Sequence, residues 1–454
     1  MASAYLEKTY TNNGNRRTMT FSFWMKVSKL DTNMYPMSIY DSSSGNQADI
    51  RHSSANQLRM YATGTDATAR VHLVTNRVFR DLNAWYHIVW QVDTTQATES
   101  NRVKLYVNGV QETSFGTETY PPQNTDLRWN GNNSADQGGV TQVGAIGGNG
   151  DWDGQLAHFH FIDGTAYPAS TFGETDSTTG IWKPKTSPSV TYGTNGFFLK
   201  FDNSANMGLD SSGAGNNFST TGTIIQTKDT PSNVFATMNS LNTNPNIAYS
   251  EVNNTVFADS GGDLRTAFST LGATSGKYYA EAKVVSIQDA IQVGLVAADS
   301  SAAIGSNNYG WAIHQFQKSL TYMSVGKIKN YNNNTVATGL ATYTANDIIG
   351  IAADLDNSKI YFHKNGTYIN SGVPTSGSTG TGAYDLTANT TYLFGSSMNY
   401  NNGKVSWNFG NGYFGTTAVS SAQSPDDGNG IFEYDVPAGY RALCTKSLNA
   451  EEYS

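Results

Sequence analysis

The chain has 454 residues, 38% of them hydrophobic and only 14% charged, with a formal net charge of −8 and a single cysteine, Cys444. Soluble domains carry roughly 25% charged residues, so Asn, Ser, Thr and Gly take over the surface here, as in extracellular and particle-surface β proteins. An acidic balance without a Lys/Arg cluster excludes nucleic-acid binding, one cysteine excludes an intramolecular disulfide framework, and no apolar run approaches the length of a membrane span.

From the N-terminus to Asp163, short alternating segments follow one another: FSFWMKV (Phe21–Val27), LRMYAT, HLVTNRVF, WYHIVWQVD (Trp85–Asp93), VKLYVNG (Val103–Gly109), TQVGAIGG and LAHFHFID. Asn, Gly, Asp and Ser clusters separate them at the spacing of an all-β sandwich. No helical period persists over about 12 residues. The opening MASAYLEKTY has no apolar run, so synthesis in a cytosol without a secretion leader is expected. The triplets at Asn217, Asn365 and Asn389 are therefore expected to stay unglycosylated.

Residues 164–231 read as a bridging segment with one added strand, FFLKF, followed by a Gly/Ser/Asn-rich run. A second sandwich is expected over residues 232–415, with strands near YYAEAKVV, IQVGLVAAD, YGWAIHQF, SLTYMSV, IIGIAADL, KIYFHK, TYLFGSS and KVSWNFG. Its clearest part is Asn346–Tyr368: two alternating strands joined by the tight turn Asp356–Ser358 and closed by Asn365-Gly366. Asn-Gly supplies the positive φ angles of a hairpin turn, and period-two alternation predicts that each strand buries one face. Residues 416–454 read as an amphipathic docking or contact segment with an acidic end.

IQVGLVAAD, NDIIGIAADL, KIYFHKNG and KVSWNFG occur in the order found in SPRY domains, and the second block resembles that family of concanavalin A-like sandwiches. Through WYHIVWQVD, VKLYVNG and DWDGQLAHFHFID, the first block is similar to the laminin G-like jelly roll. With FIDGTAYPASTFGETDSTTGIWKPK, YGTNGFFLKF and VPAGYRALCTKSL added, the chain resembles virion proteins of tailed bacteriophages. The resemblance implies an all-β chain of two antiparallel concanavalin A-like sandwiches. It also implies a structural protein on the virion surface (tail fibre, head fibre or capsid decoration), made in the host cytoplasm. As a homo-oligomer, such a protein would contact other virion proteins and a host cell-surface glycan or protein receptor. A bacterial surface lectin or adhesin is the alternative reading, and a glycan-acting enzyme a third.

Glycan hydrolysis needs two carboxylates about 5–10 Å apart across the scissile bond. The nearest strings, ETDSTTG from Glu174 and EYDVPAG from Glu433, lack the third acid of the strand motif, so no enzyme is expected. His158 and His160 share one face of a strand whose other face carries Phe159 and Phe161; two imidazoles fall short of a zinc set of three or four ligands. GAIGGNGDWDG (Gly144–Gly154) lacks the Gly-Lys-Ser/Thr ending of a phosphate loop. Laminin G-like domains hold Ca²⁺ in acidic loops, so Asp151 and Asp153 stand as a possible calcium pair beside the plainer reading as a turn. For ligand binding, the sequence points to aromatics set among asparagines: Tyr309, Tyr331 with Asn332, and Tyr400 with Asn399. A flat ring beside amide groups suits carbohydrate or protein recognition. Trp311 and Trp407, in alternating strands, are expected in the core.

Overall fold

Alternation of apolar and polar residues builds two separate β-sandwiches. The computed structural model describes every residue except 1–3, 41–46, 65, 67, 133–138, 242–246, 259–264, 289, 302–311, 399–402 and 453–454. The described chain divides into two compact units, Met1–Gln226 and Thr227–Ser454.

In the first unit an eight-stranded antiparallel sheet runs, in spatial order, Phe115–Thr119, Ala69–Val78, Gln57–Thr63, Gln47–His52, Met34–Tyr40, Val140–Val143, Tyr5–Lys8 and Ser219–Thr221. A six-stranded antiparallel sheet has the order Phe197–Leu199, Gly154–Asp163, Thr18–Val27, Trp85–Asp93, Val103–Val107 and Val110–Glu112. Ile39, Ile50, Met60 and Leu73 from the first sheet meet Phe21, Phe23, Met25 and Trp90 from the second in one dry core. Of residues 164–231, set apart as a bridge in the sequence, 164–226 belong to this unit and the last five to the second. The former supply strands to both sheets and lay Tyr167, Phe172, Trp182 and Tyr192 over the outer face of the six-stranded sheet.

That cover corrects the expectation of one buried face per strand. In Thr18–Val27 the core-facing Phe21, Phe23 and Met25 are buried, and so are Ser22, Trp24 and Lys26 on the opposite side. Thr20 Oγ donates to the Thr165 carbonyl and Gln91 Nε2 to that of Ala166, which pins the covering segment to the sheet.

In the second unit one sheet contains, in order, Ile247–Ser250, Thr255–Ala258, Lys404–Asn408, Lys277–Ser286, Ile348–Asp354, Lys359–Lys364 and Thr367–Tyr368, with two short strands pairing at its side. The facing sheet has the order Arg265–Ala273, Tyr392–Met398, Ile291–Ala297, Leu320–Met323, Lys327–Asn330 and Asn334–Ala337. Ile349, Ile351, Phe362 and Trp407 pack against Val293, Leu295, Tyr322 and Phe394. The expected hairpin forms, with Ser358, Asn365 and Gly366 at positive φ.

Ile348–Asp354 is buried along its whole length because the C-terminal residues cover its far side. Phe432, Tyr440, Ala442 and Cys444 pack there with Tyr279, Ala352 and Tyr361. Arg441–Ala442 pairs in parallel with Tyr278 and Tyr279. The helix Thr445–Glu452 ends this segment; its 8 residues fall below the window that periodicity can resolve.

Candidate binding surfaces

Tyr331 lies where the strand Lys327–Asn330 turns into Asn334–Ala337, the edge strand of its sheet. Asn332 and Asn333 hold φ of 60° and 62° there, a left-handed conformation that asparagine tolerates better than most residues. Consecutive left-handed residues reverse the chain and leave the Tyr331 ring 40% exposed. Asn332 is exposed beside it.

The ring lines an open groove of about 250 Å³ with Lys318, Asn330, Asp385, Thr387 and Tyr392. Lys318 Nζ pairs with Asp299 at 3.1 Å, and Lys359 Nζ with Asp385 at 2.5 Å, so the two charges at the rim are already balanced. Tyr392 Oη accepts from the Thr387 amide at 2.8 Å, which fixes one wall. An aromatic face, amides and balanced charges in a shallow groove suit a polar ligand of modest charge. Periodicity gave no sign of Lys318, Asp385 or Thr387, which reach the groove from separate loops. Tyr309, Asn399 and Tyr400, and Trp311 with them, lie outside the described residues.

Asp151 and Asp153 sit in the loop before Gly154–Asp163. One carboxylate oxygen of Asp151 is buried without a hydrogen-bond partner, an acceptor that a cation would satisfy. No third His, Cys, Asp or Glu joins the pair among the described residues, so a cation would draw its remaining oxygens from carbonyls and water.

The covered face of the first unit carries a serine–histidine pair that the sequence did not reveal. His87 Nε2 lies 2.9 Å from Ser22 Oγ, and Trp182 Nε1 donates to His87 Nδ1 at 2.9 Å. An indole nitrogen can only donate, so the imidazole proton sits on Nε2 and points at the serine. In that tautomer His87 cannot take the Ser22 proton, and burial lowers its pKa to about 3. His160, stacked on Phe198 with ring centroids 3.9 Å apart, is buried and held neutral in the same way. These imidazoles are packing and hydrogen-bonding groups. Of the two acidic strings, Glu174 and Asp176 share Lys183 in the first unit, and Glu433 accepts from the Ser420 amide in the second.

In the second unit Glu281 is fully buried. It accepts from Tyr279 Oη at 3.0 Å, Asn408 Nδ2 at 3.2 Å, and the amides of Glu433 and Tyr434 at 2.9 and 2.8 Å. Gly366 N donates to His363 Nδ1, so His363 Nε2 donates in turn to Tyr279 Oη at 2.6 Å. The proton order from Gly366 through His363 and Tyr279 to Glu281 is thereby fixed. Burial raises the Glu281 pKa to about 7, against the lowering effect of the four donors.

Residues 2–170 match the concanavalin A-like lectin/glucanases superfamily, and residues 277–383 match the SPRY domain family. The chain pairs a concanavalin A-like domain with a SPRY domain. Among solved structures it is similar to the SPRY domain of human HERC1, at 18% identity over 34% of this chain and 87% of that one, with a TM-score of 0.25. A human SPRY domain follows at 16% identity, covering 36% of this chain and 94% of that one (TM-score 0.26). The TRIM65 PSpry domain is 9% identical, covering 38% and 89% (TM-score 0.30). Comparison with curated proteins gives no match. Tyr331, Asn332 and Glu281 all fall within the SPRY match, and Ser22, His87 and Asp151 within the concanavalin A-like one.

Proposed function

We propose that this chain is a non-enzymatic recognition protein on the surface of a tailed-bacteriophage virion, a tail fibre, head fibre or capsid decoration. Its SPRY domain contacts a host glycan or protein receptor through the Tyr331 turn. The observation that carries this reading is the exposed Tyr331 ring at the mouth of a groove with amide and balanced-charge walls. The pairing of two domains from binding folds supports an adhesive role. The virion assignment rests on the sequence resemblance and the charge-poor composition. The tautomer of His87 supports the non-enzymatic part, since it disarms the buried Ser22–His87 pair.

Replacing Tyr331 by Ala is expected to weaken attachment to cells or receptor by about 1–4 kcal/mol, the range of aromatic interface anchors. The melting temperature should hold, because exposed substitutions stay within about 0.5 kcal/mol. Cryo-electron microscopy of particles containing the chain would place it on head or tail. Product release from host polysaccharide, abolished by one Asp or Glu substitution, would overturn the non-enzymatic reading; unchanged binding at unchanged stability would move the contact away from Tyr331.

A further inference from the structure

An asparagine followed by glycine is open to attack by its own chain, because glycine has no Cβ to screen the next backbone nitrogen. The reaction needs two freedoms. The asparagine Cγ must swing onto that nitrogen, and the nitrogen must not be committed as a hydrogen-bond donor. The chain holds nine Asn-Gly dipeptides, and in one of them, Asn402-Gly403, the asparagine lies outside the described residues.

Seven of the other eight are held. In two hairpins Asn108 Oδ1 accepts from the His87 amide and Asn365 Oδ1 from that of Ile348, each at 2.8 Å. Asn130 and Asn195 are buried and bonded to one another at 3.0 Å. Asn13 Oδ1 takes the Asn132 amide at 2.6 Å, and Asn149 Nδ2 donates to the Gly147 carbonyl at 3.1 Å. Asn411, also buried, accepts from the Tyr413 amide at 3.4 Å. At three of these sites the following amide is engaged as well: Gly14 on the Asn130 carbonyl, Gly366 on His363 Nδ1 and Gly412 on Asn408 Oδ1.

Asn429-Gly430 has neither restraint. The half-buried Asn429 side chain bonds to no described residue, and the Gly430 amide donates to none. Only the Asn429 backbone amide is anchored, on Asp427 Oδ1 at 2.9 Å, and exposed residues 426–428 lead into it. We propose that Asn429 deamidates and isomerises spontaneously, ahead of the other seven, and that its conversion loosens the C-terminal segment covering the SPRY sheet.

Gly430 N, its proton lost to hydroxide, attacks Asn429 Cγ; the Cγ–Nδ2 bond breaks and ammonia leaves, closing a succinimide. Water opens that ring at Cγ to give aspartate, or at the main-chain carbonyl to give isoaspartate, whose backbone runs through Cβ and Cγ. Neither product suits the site. The new carboxylate follows Asp426 and Asp427 in the chain, and Asp427 Oδ2 accepts from Ser447 Oγ of the terminal helix. The longer isoaspartyl backbone falls just before Ile431, whose amide donates to the Gly410 carbonyl and whose carbonyl accepts from Asn408 Nδ2, each at 2.9 Å. Slack is short there, since a Cβ on Gly430 would lie 3.1 Å from both Ala442 and Phe432. This chemistry needs only water and stands apart from recognition through Tyr331.

The test is to age the full chain at mildly alkaline pH and map it by peptide mass spectrometry, with an isoaspartyl methyltransferase to report isoaspartate. Asn429 should convert at least about fivefold faster than any of the seven, the factor that one hydrogen bond of ordinary strength puts on a rate. That lead should vanish in denaturant, where every Asn-Gly is equally free. The aged parent should be cut within residues 416–436 more readily than the fresh protein. Aged Asn429→Gln, whose longer side chain cyclises far more slowly, should not. If Gln at this position lowers the melting temperature, Asn429→Ser, which has no amide to lose, takes its place. Any of the seven converting as fast as Asn429, a lead that persists in denaturant, or equal softening of the aged parent and the aged variant would each overturn the proposal.

Discussion

The amide of Tyr434 donates to Glu281 Oε1 at 2.8 Å, which fastens a residue near the end of the chain to the centre of a SPRY strand. The neighbouring Glu433 amide takes the other carboxylate oxygen. One side chain therefore supplies acceptors to two backbone donors that the covering segment could not satisfy within its own irregular path.

Glu281→Ala should be among the most damaging single changes in the second unit. It leaves two backbone amides, Asn408 Nδ2 and the Tyr279 hydroxyl short of an acceptor in a buried site. Losses of this kind total about 3–5 kcal/mol. Chemical denaturation measures the cost, and limited proteolysis should show early cutting within residues 416–436. A variant as stable as the parent would mean that the carboxylate does not hold the segment.

Glu281 also predicts a pH signature. Its carboxyl titrates near 7 when folded and near 4.5 when unfolded, so the folded state keeps the extra proton between those values. Its contribution is fully present below about pH 4.5 and is lost as pH rises through 7. The stability of the parent relative to Glu281→Gln should fall by about 2–3 kcal/mol from pH 5 to pH 8. The comparison must be a difference, because buried His363 and His314, with pKa values lowered to about 3 and about 4, slope the other way. They contribute stability above pH 6.5 that is lost as pH falls. A flat difference would show that Glu281 does not change protonation in this range.

Trp182 offers a test of the covering segment in the first unit. A Cβ added to Gly173 would lie 2.4 Å from the Trp182 ring, so Gly173→Ala must push the indole off its seat beside His87. Overpacking of this kind costs about 1–3 kcal/mol. Tryptophan fluorescence should report a more solvated indole alongside the lower melting temperature. If neither changes, the covering segment is looser than its hydrogen bonds indicate.

Most of the expected strands and the hairpin around Asn365-Gly366 were legible because period two and turn chemistry are local signals; in YGWAIHQF, expected as a strand, Ile313–Gln315 forms a 3-10 turn instead. The exposure of Tyr331 was legible for a similar reason, since its asparagine-rich neighbours offer nothing to bury. What lay beyond reach was the covering of the outer sheet faces. Trp182 buries His87 from 95 residues away, and Tyr434 reaches Glu281 across 153; irregular segments of this kind carry no period. In YYAEAKVV, Glu281 reads as an outward polar residue, and only the C-terminal chain makes it interior.

The hold of Glu281 on the chain's end bears on how this SPRY domain can be moved between proteins. Its family match covers residues 277–383, yet Tyr279, Ala352 and Tyr361 are roofed by residues 432–444. A graft cut at the match would carry an unroofed apolar sheet and a buried acid suddenly in water. The transplantable unit is defined by its last contact, not by the end of the family match, and it extends into the helix Thr445–Glu452, whose Leu448 packs against the core.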